Sequence, residues 1–554
     1  MIEPGWPGQP PEGETDAIDP PLTPDLATPL QAGRHIASAA GLIALGNVSS
    51  RILGLVREQV IAALFGATGS TSAFRTATRV STAAYDLLLA GAITSALVPV
   101  FTEYSAPGRS RDLSRIVSSL TNLTILTIGG IVAVLMLIAP LIISVLGADV
   151  EYSDLAVQLT RLALPSVALL GISGILTALL QSRHAFARPA FASATYNGGI
   201  ILAALVLAAP MGIRGLALGL LVGAALQVLF QLPAWRGLRY EPVIDLTNPG
   251  VRLALRLYAP VFLGMLASYG VVIVDTNLAW RTGPDSVAAM GFATTLIQFP
   301  IGLVGVATSL AILPSLSRLA GQDLEGDMDR YFAMLTQALK AVLLLIIPLT
   351  AALVVLREPI VAVLFQRAAF DATATERTAL ALLAYAPQLP FVVVDQLLII
   401  AFYAQKRPLT PVLVGLAGAT TYLALALALV GPLGMPGLAL ANAAQNSIHA
   451  VVLYVLLSRQ TRELRSPELA SVVGRLIIAA AVCGAAAILA ASAVGPLLAG
   501  PGPIPRLLGL TVAAGAAFSA YSVALLVLGL GEGSYVPILL AELRARVGRN
   551  GKSS

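Results

Sequence analysis

The chain has 554 residues, 57% of them hydrophobic and only 11% charged, with a mean hydropathy of +0.84 and a net charge of +5. Soluble globular proteins carry about 25% charged residues, so a soluble enzyme or binding module is excluded and a polytopic membrane protein is expected. The basic residues lie in short stretches between apolar runs, where topology explains them, and nucleic acid is rejected as a partner.

Residues 1–35, "MIEPGWPGQPPEGETDAIDPPLTPDLATPLQAGRH", are rich in Pro, Gly and acids and predict a disordered tail. They lack the basic start and apolar core of a signal peptide. Beyond them, apolar segments of about 20–30 residues recur along the chain, too long for barrel strands of ~9–11 and therefore helical. Fourteen spans are expected in an all-α fold, centred near residues 50, 87, 131, 168, 198, 224, 266, 302, 344, 389, 419, 446, 482 and 518.

The first span, "SSRILGLVREQVIAALFG" (49–66), carries Arg51, Arg57 and Glu58. At about 100° per residue, Asn47, Arg51, Gly54 and Glu58 share one face, with Ser50 and Arg57 on an adjacent stripe. The second span repeats the pattern, with Arg75, Arg79, Thr82 and Asp86 on one face. An arginine at mid-membrane costs roughly 2.5–3.5 kcal/mol, so four of them facing lipid would cost ~10 kcal/mol. They must face a wet cavity or each other. One reading is a buried network, Arg51–Glu58 and Arg79–Asp86, that pins the two spans together. The other is an anion site. It is preferred because four arginines against two acids leave an excess of +2. That suits a pyrophosphate, whose oxygens guanidinium forks hold bidentately. The candidate substrate-binding residues are Ser50, Arg51, Arg57, Glu58, Arg75, Arg79 and Asp86.

Later spans hold fewer polar residues. Asp275, in "VVIVDTNLAW", is a lone acid: either a cation ligand or a structural acid bonded to Tyr269 or a neighbouring helix. Asp395 reads as structural. Asn442, Gln445, Asn446 and His449 are spaced i, i+3, i+4, i+7, which favours helix-to-helix hydrogen bonding over a proton relay. Pro165, Pro260, Pro300 and Pro387 predict kinks. The nearest approach to a metal-binding acid cluster, "DLEGDMDR" (323–330), reads as a solvated loop, and no enzyme is expected. Cys483 can form no internal disulfide, and three histidines leave no zinc or haem cluster, so no cofactor is expected. The energy source is open between a coupling cation, Na+ or H+, and the membrane potential.

Two whole-chain patterns organise the spans. With the N-terminus inside, about 21 basic residues fall on inner loops and flanks and 6 on outer ones, so both termini are expected in the cytoplasm. Four string pairs recur in order at offsets of roughly 215–222: "APLIISVLG" with "REPIVAVLF", "FARPAF" with "QKRPLT", "GIRGLALG" with "GMPGLALA", and "LVPVFTEY" with "ILPSLSRL". The expected plan is two parallel six-helix repeats plus two C-terminal helices. The N-lobe is 36–240 (spans 1–6), the C-lobe 241–460 (spans 7–12), spans 13–14 occupy 461–532, and 533–554 form a cytoplasmic tail. Parallel repeats place a substrate path between the halves.

At these residues the sequence resembles the MurJ/MviN family of lipid II flippases, within the multidrug/oligosaccharidyl-lipid/polysaccharide exporter superfamily. The resemblance rests on "SSRILGLVREQVIAALFGATG", "GAITSALVPVFTEY", "FPIGLVGVATSLAILPSLSRL" and "LFQRAAFDATATERTALALLAY", and covers about residues 36–530. It implies an alternating-access flippase of the plasma membrane, moving an undecaprenyl-pyrophosphate-linked peptidoglycan precursor to the outer leaflet. Cell-wall synthesis and division proteins are the partners it suggests. It also implies cavity-lining arginines, onto which Arg51 and Arg57 fall, with Ser50 matching and Glu58 replacing an Asp. The sequence departs from the family at Ser72, Tyr85, Ala90 and Thr295, so two of four family cavity arginines are present. Arg75 and Arg79 are candidates to carry the missing charge. Alternatives are a flippase for another prenyl-linked glycan, a small-molecule exporter of the same superfamily, and a major-facilitator-type carrier, whose basic loop between spans 2 and 3 "EYSAPGRSRDLSR" does not match.

Overall fold

A computed structural model of the chain describes residues 29–87, 97–105, 110–245, 252, 269–320, 327–461, 463–500 and 502–530. Most of the expected N-terminal tail, Ala90, the centre of the seventh span with Pro260, and the C-terminal tail lie outside the described residues.

Every regular element among the described residues is helical. The first half runs α1 (Pro29–Phe65), α2 (Gly69–Tyr85), α3 (Val98–Tyr104), α4 (Ser110–Leu137), α5 (Ala139–Val145), α6 (Val150–Ala163), α7 (Pro165–Ser182), α8 (Ala187–Met211) and α9 (Ile213–Gln231). The second runs α10 (269–281), α11 (Ser286–Pro300), α12 (Ala307–Ala320), α13 (Asp327–Val355), α14 (Arg357–Phe365), α15 (Ala372–Tyr385), α16 (Leu389–Ala404), α17 (Leu409–Leu433) and α18 (Met435–Ser458). Then come α19 (Pro467–Ala493), α20 (Gly495–Leu498) and α21 (Pro503–Val527). The first helix starts at Pro29, so residues 29–35 of the expected tail are helical.

Local chemistry sets the starts. Thr68 caps α2, Asp149 α6, Asp371 α15 and Ser466 α19, each accepting from a backbone N–H of the first turn. Among the described residues, ten helices are long and apolar enough to cross a membrane: α4, α6–α7, α8, α9, α13, α15–α16, α17, α18, α19 and α21. The protein is thus a multi-pass membrane protein. The remaining four of the fourteen expected spans are α1, α2, α10 and α11. Three of these are short as described, at 17 residues or fewer, and α1 carries the three charges. The exceptions are the helices that build the site below.

The duplication is visible in the backbone. Left-handed residues recur at Gly147 and Ala368, His184 and Lys406, and Gly212 and Gly434, at separations of 221, 222 and 222. The second and eighth spans also match. Residues 86 and 87 adopt a π turn where α2 ends, and a π turn (Ile301–Val306) joins α11 to α12. Such turns are rare and gather at functional sites.

Within the first half, α8 packs on α9 and α1, α2 on α6, and α4 on α7; within the second, α17 packs on α18, α11 on α15, and α13 on α16 and α19. The largest apolar core is shared by both halves, including Phe74 and Leu216 of one with Trp280 and Phe292 of the other. The link between halves leaves α9 through a short 3-10 turn and lies along α4. There Ser114, Ser118 and Ser119 accept from the backbone N–H groups of Arg239, Glu241 and Asp245 at 3.3, 3.0 and 3.0 Å. Asn122 donates to the carbonyls of Glu241 and Val243, both at 3.0 Å, and Arg115 pairs with Asp245.

Contacts between the halves run as a seam down α2 and α10. Ser72 accepts from the Ala288 N–H at 3.0 Å, and Ala369 N–H donates to the Ala63 carbonyl at 3.1 Å. Further along, Trp280 donates to Thr76 at 3.0 Å, Arg79 reaches Asp275, and Tyr269 donates to Asp86 at 2.6 Å. Thr76, Arg79 and Asp86 thus meet Trp280, Thr276 and Tyr269, at steps of 3 and 7 on one side against 4 and 7 on the other, as one face of each helix requires.

Candidate anion site between the halves

A cavity of about 410 Å³ lies beside this seam, walled by α1, α2, α8, α9, α10 and α11. Arg57, Glu58, Arg75 and Arg79 line it, together with Thr295 and Gln298. The apolar faces of α1 and α2 are fixed against α8 and α6. Their charged residues Arg57, Glu58, Arg75 and Arg79 are turned into this cavity.

Glu58 is the centre of the charge arrangement. Its side chain is 3% exposed and bridges two arginines of its own half: Arg57 Nη2 at 2.8 Å and Arg75 Nη2 at 2.6 Å. Arg57 also donates through Nη1 to Asn197 Oδ1 at 2.9 Å. Asn197 in turn donates to the Ser50 carbonyl at 3.3 Å, so α8 holds α1 in register. The Arg75 guanidinium lies 4.3 Å over the Phe292 ring of α11, a cation–π contact across the halves. It can do so because position 291 is glycine: a Cβ there would come within 2.5 Å of Arg75. The buried Nε of Arg75 finds no acceptor among the described residues.

Arg79 crosses the seam. It donates to Asp275 Oδ2 at 3.0 Å and to Thr276 Oγ1 at 2.6 Å. The other Asp275 oxygen accepts from Tyr422 of α17 at 2.6 Å. Arg51 stands at the rim. Its Nη1 donates to the Gln298 carbonyl at 3.2 Å, and its guanidinium lies on Gly302 in the π turn, where any Cβ would overlap it.

The pairs expected as a pinning network are not formed. Glu58 bonds Arg57 and Arg75 rather than Arg51, and Asp86 bonds Tyr269 rather than Arg79. Arg51–Glu58 and Arg79–Asp86 are both seven residues apart, a rise of about 10.5 Å along a helix, so sharing a face does not bring them into contact. Asp275 bonds neighbouring helices, Arg79 of α2 and Tyr422 of α17, as one of its structural alternatives expected, and not Tyr269. It also extends the charge count: with Asp275, four arginines stand against three acids in and around the site, an excess of +1, while the residues that line the cavity itself, Arg57, Arg75, Arg79 and Glu58, carry +2. Elsewhere, Asp395 bonds His449 at 2.6 Å and Asn446 donates to Gln388 at 2.5 Å, as helix-to-helix bonding requires.

Asn197, Phe292 and Tyr422 were not singled out from the sequence. Asn197 and Tyr422 are isolated polar groups in apolar spans, a weak signal. Phe292 carries none, since an aromatic ring in a span is ordinary.

Known proteins converge on one family. The family described as "Lipid II flippase MurJ" matches residues 61–499. A Lipid II flippase MurJ of Burkholderia cenocepacia is 31% identical over 376 residues, 66% of this chain and 72% of that protein. A probable lipid II flippase MurJ of Vibrio cholerae is 29% identical over 438 residues, 74% of this chain and 81% of that protein. A solved lipid II flippase MurJ in an inward closed conformation superposes with a TM-score of 0.72 at 23% identity, over 88% of this chain and 99% of that one. An inward-facing multidrug-resistance transporter of the MATE family superposes at 0.64 and 16% identity, over 75% of this chain and 95% of that one. At such identities the structures speak for the fold, while the sequence matches span most of the chain: it belongs to the lipid II flippase MurJ family.

Proposed function

We propose that the protein moves lipid II from the inner to the outer leaflet of the plasma membrane by alternating access. Arg57, Arg75 and Arg79 take the pyrophosphate in the cavity, and Arg51 guards its rim. The observation that carries this reading is a net-basic cavity between two repeats, in a chain of this family. Arg75 supplies positive charge against α11, on whose wall stands Thr295. A drug or cation exporter would want an acidic cavity instead.

Charge bias supports an orientation with both termini in the cytoplasm, in which the contact of Ser72 with Ala288 lies toward the outer surface. The contacts between halves then close the outer end, and the cavity is served from the inner side. At about 410 Å³ it sits low in the range of small-ligand pockets, ~300–1,000 Å³. It has room for the pyrophosphate and adjoining sugar, so the halves must part to pass the rest.

The test of function is rescue: the chain should restore growth and outer-leaflet lipid II in cells depleted of their own lipid II flippase. Failure of a well-expressed chain to do so would shift the substrate to another prenyl-linked glycan. Orientation is tested separately in a Cys483→Ala background. Ser110→Cys should react with an impermeant thiol reagent only from inside, and Asp154→Cys only from outside. The opposite pattern overturns the topology.

A further inference from the structure

We propose that the Arg79–Asp275 pair is a latch between the halves, opened when the anionic group of the substrate draws Arg79 away. The proposal rests on the anion-site reading above and adds the step that couples binding to opening.

Three ion pairs of the described residues face the cavity. Two of them, Arg57–Glu58 and Arg75–Glu58, lie within the first half, so an anion that disturbs them breaks no ion pair between the halves. Arg79–Asp275 alone joins α2 of one half to α10 of the other at 3.0 Å. The neighbouring rungs of the seam, Thr76 with Trp280 and Asp86 with Tyr269, each include a neutral partner and give an anion little to compete for.

The pair is also placed to exchange. Its side chains are 28% and 20% exposed, far more than Glu58 at 3%, and Arg79 lines the cavity. A pyrophosphate offers more charge and more acceptor oxygens than one carboxylate. Asp275 is not stranded when Arg79 leaves, because Tyr422, in its own half, keeps donating to it. The tyrosine thus holds the acid with the second half while the arginine departs with the first. In the closed arrangement the guanidinium stands where a coupling cation at Asp275 would have to sit.

The test uses the full chain in lipid nanodiscs, with Cys483→Ala and Ser72→Cys. Ser72 is fully buried at the contact with Ala288, so a thiol there reports separation of the halves. Undecaprenyl pyrophosphate should raise the rate of maleimide labelling several-fold, and undecaprenol, which lacks the charge, should not. Asp275→Asn should label at the raised rate without ligand and gain nothing from it, with an unchanged melting temperature. The swap of Arg79→Asp with Asp275→Arg should restore protection and lose the response. Protection in Asp275→Asn equal to the parent's would overturn the latch. So would labelling raised by sodium instead of the diphosphate, which would make Asp275 a cation site. Native mass spectrometry separates the two proposals: diphosphate that binds without raising labelling sinks the latch alone. Diphosphate that does not bind sinks both.

Discussion

Glu58→Ala should cost about 3 kcal/mol of stability, near the lower end for removing one partner of a buried ion pair. The loss leaves Arg75 wedged between α2 and Phe292 with its positive charge uncompensated. Arg57 suffers less, since its side chain is 30% exposed and keeps Asn197. That places the cost at the low end. A thermal melt of the purified protein measures it. Arg51→Ala is the contrast: its hydrogen bond goes to a backbone carbonyl at the rim, and the melting temperature should hold. The second-site test follows the same geometry. Adding Arg75→Ala to Glu58→Ala should recover much of the lost stability, whereas adding Arg51→Ala should not. Recovery through Arg51 would restore the Arg51–Glu58 pair that the structure argues against.

Arg57→Ala should reduce transport by at least about tenfold, the effect of losing one charge-assisted hydrogen-bonding group of ~1.5–3 kcal/mol. Protein level should stay normal, because Glu58 retains Arg75. Arg57→Lys should recover only part of the activity. The guanidinium spans Glu58 with Nε and Nη2 at 3.2 and 2.8 Å while Nη1 reaches Asn197, a fork that an ammonium cannot reproduce. The readout is outer-leaflet exposure of the lipid-linked precursor in cells whose sole flippase is the variant. Full transport by Arg57→Ala would remove this residue from the site.

The fold was legible because apolar length is a coarse signal that survives any local exception. The repeat was legible in four short strings, and the backbone confirms the spacing at Gly212 and Gly434. The site was legible as a set of helices and a sign of charge. Partners were not. Helical periodicity tells which side chains share a face, but not what stands opposite. Arg79 finds Asp275 at a separation of 196 residues, and Arg57 finds Asn197 at 140. The third acid of the charge arrangement, Asp275, therefore entered the count only once α10 was seen against α2. Gly291 shows the same limit: its significance is the arginine that lies on it.

The strap along α4 has a mechanical consequence. Three serines and an asparagine give residues 239–245 the hydrogen bonds that a neighbouring strand would supply, so this stretch has no slack. The covalent joint between the halves is therefore anchored to the first half as far as Asp245, at the end of the molecule opposite the contact of Ser72 with Ala288. A body held at one end travels farthest at the other. The same small rotation that barely disturbs the anchored linker sweeps α2 past the second half by its greatest distance at Ser72 and Ala288 of α11, and the track of serines acts as the axle of that lever.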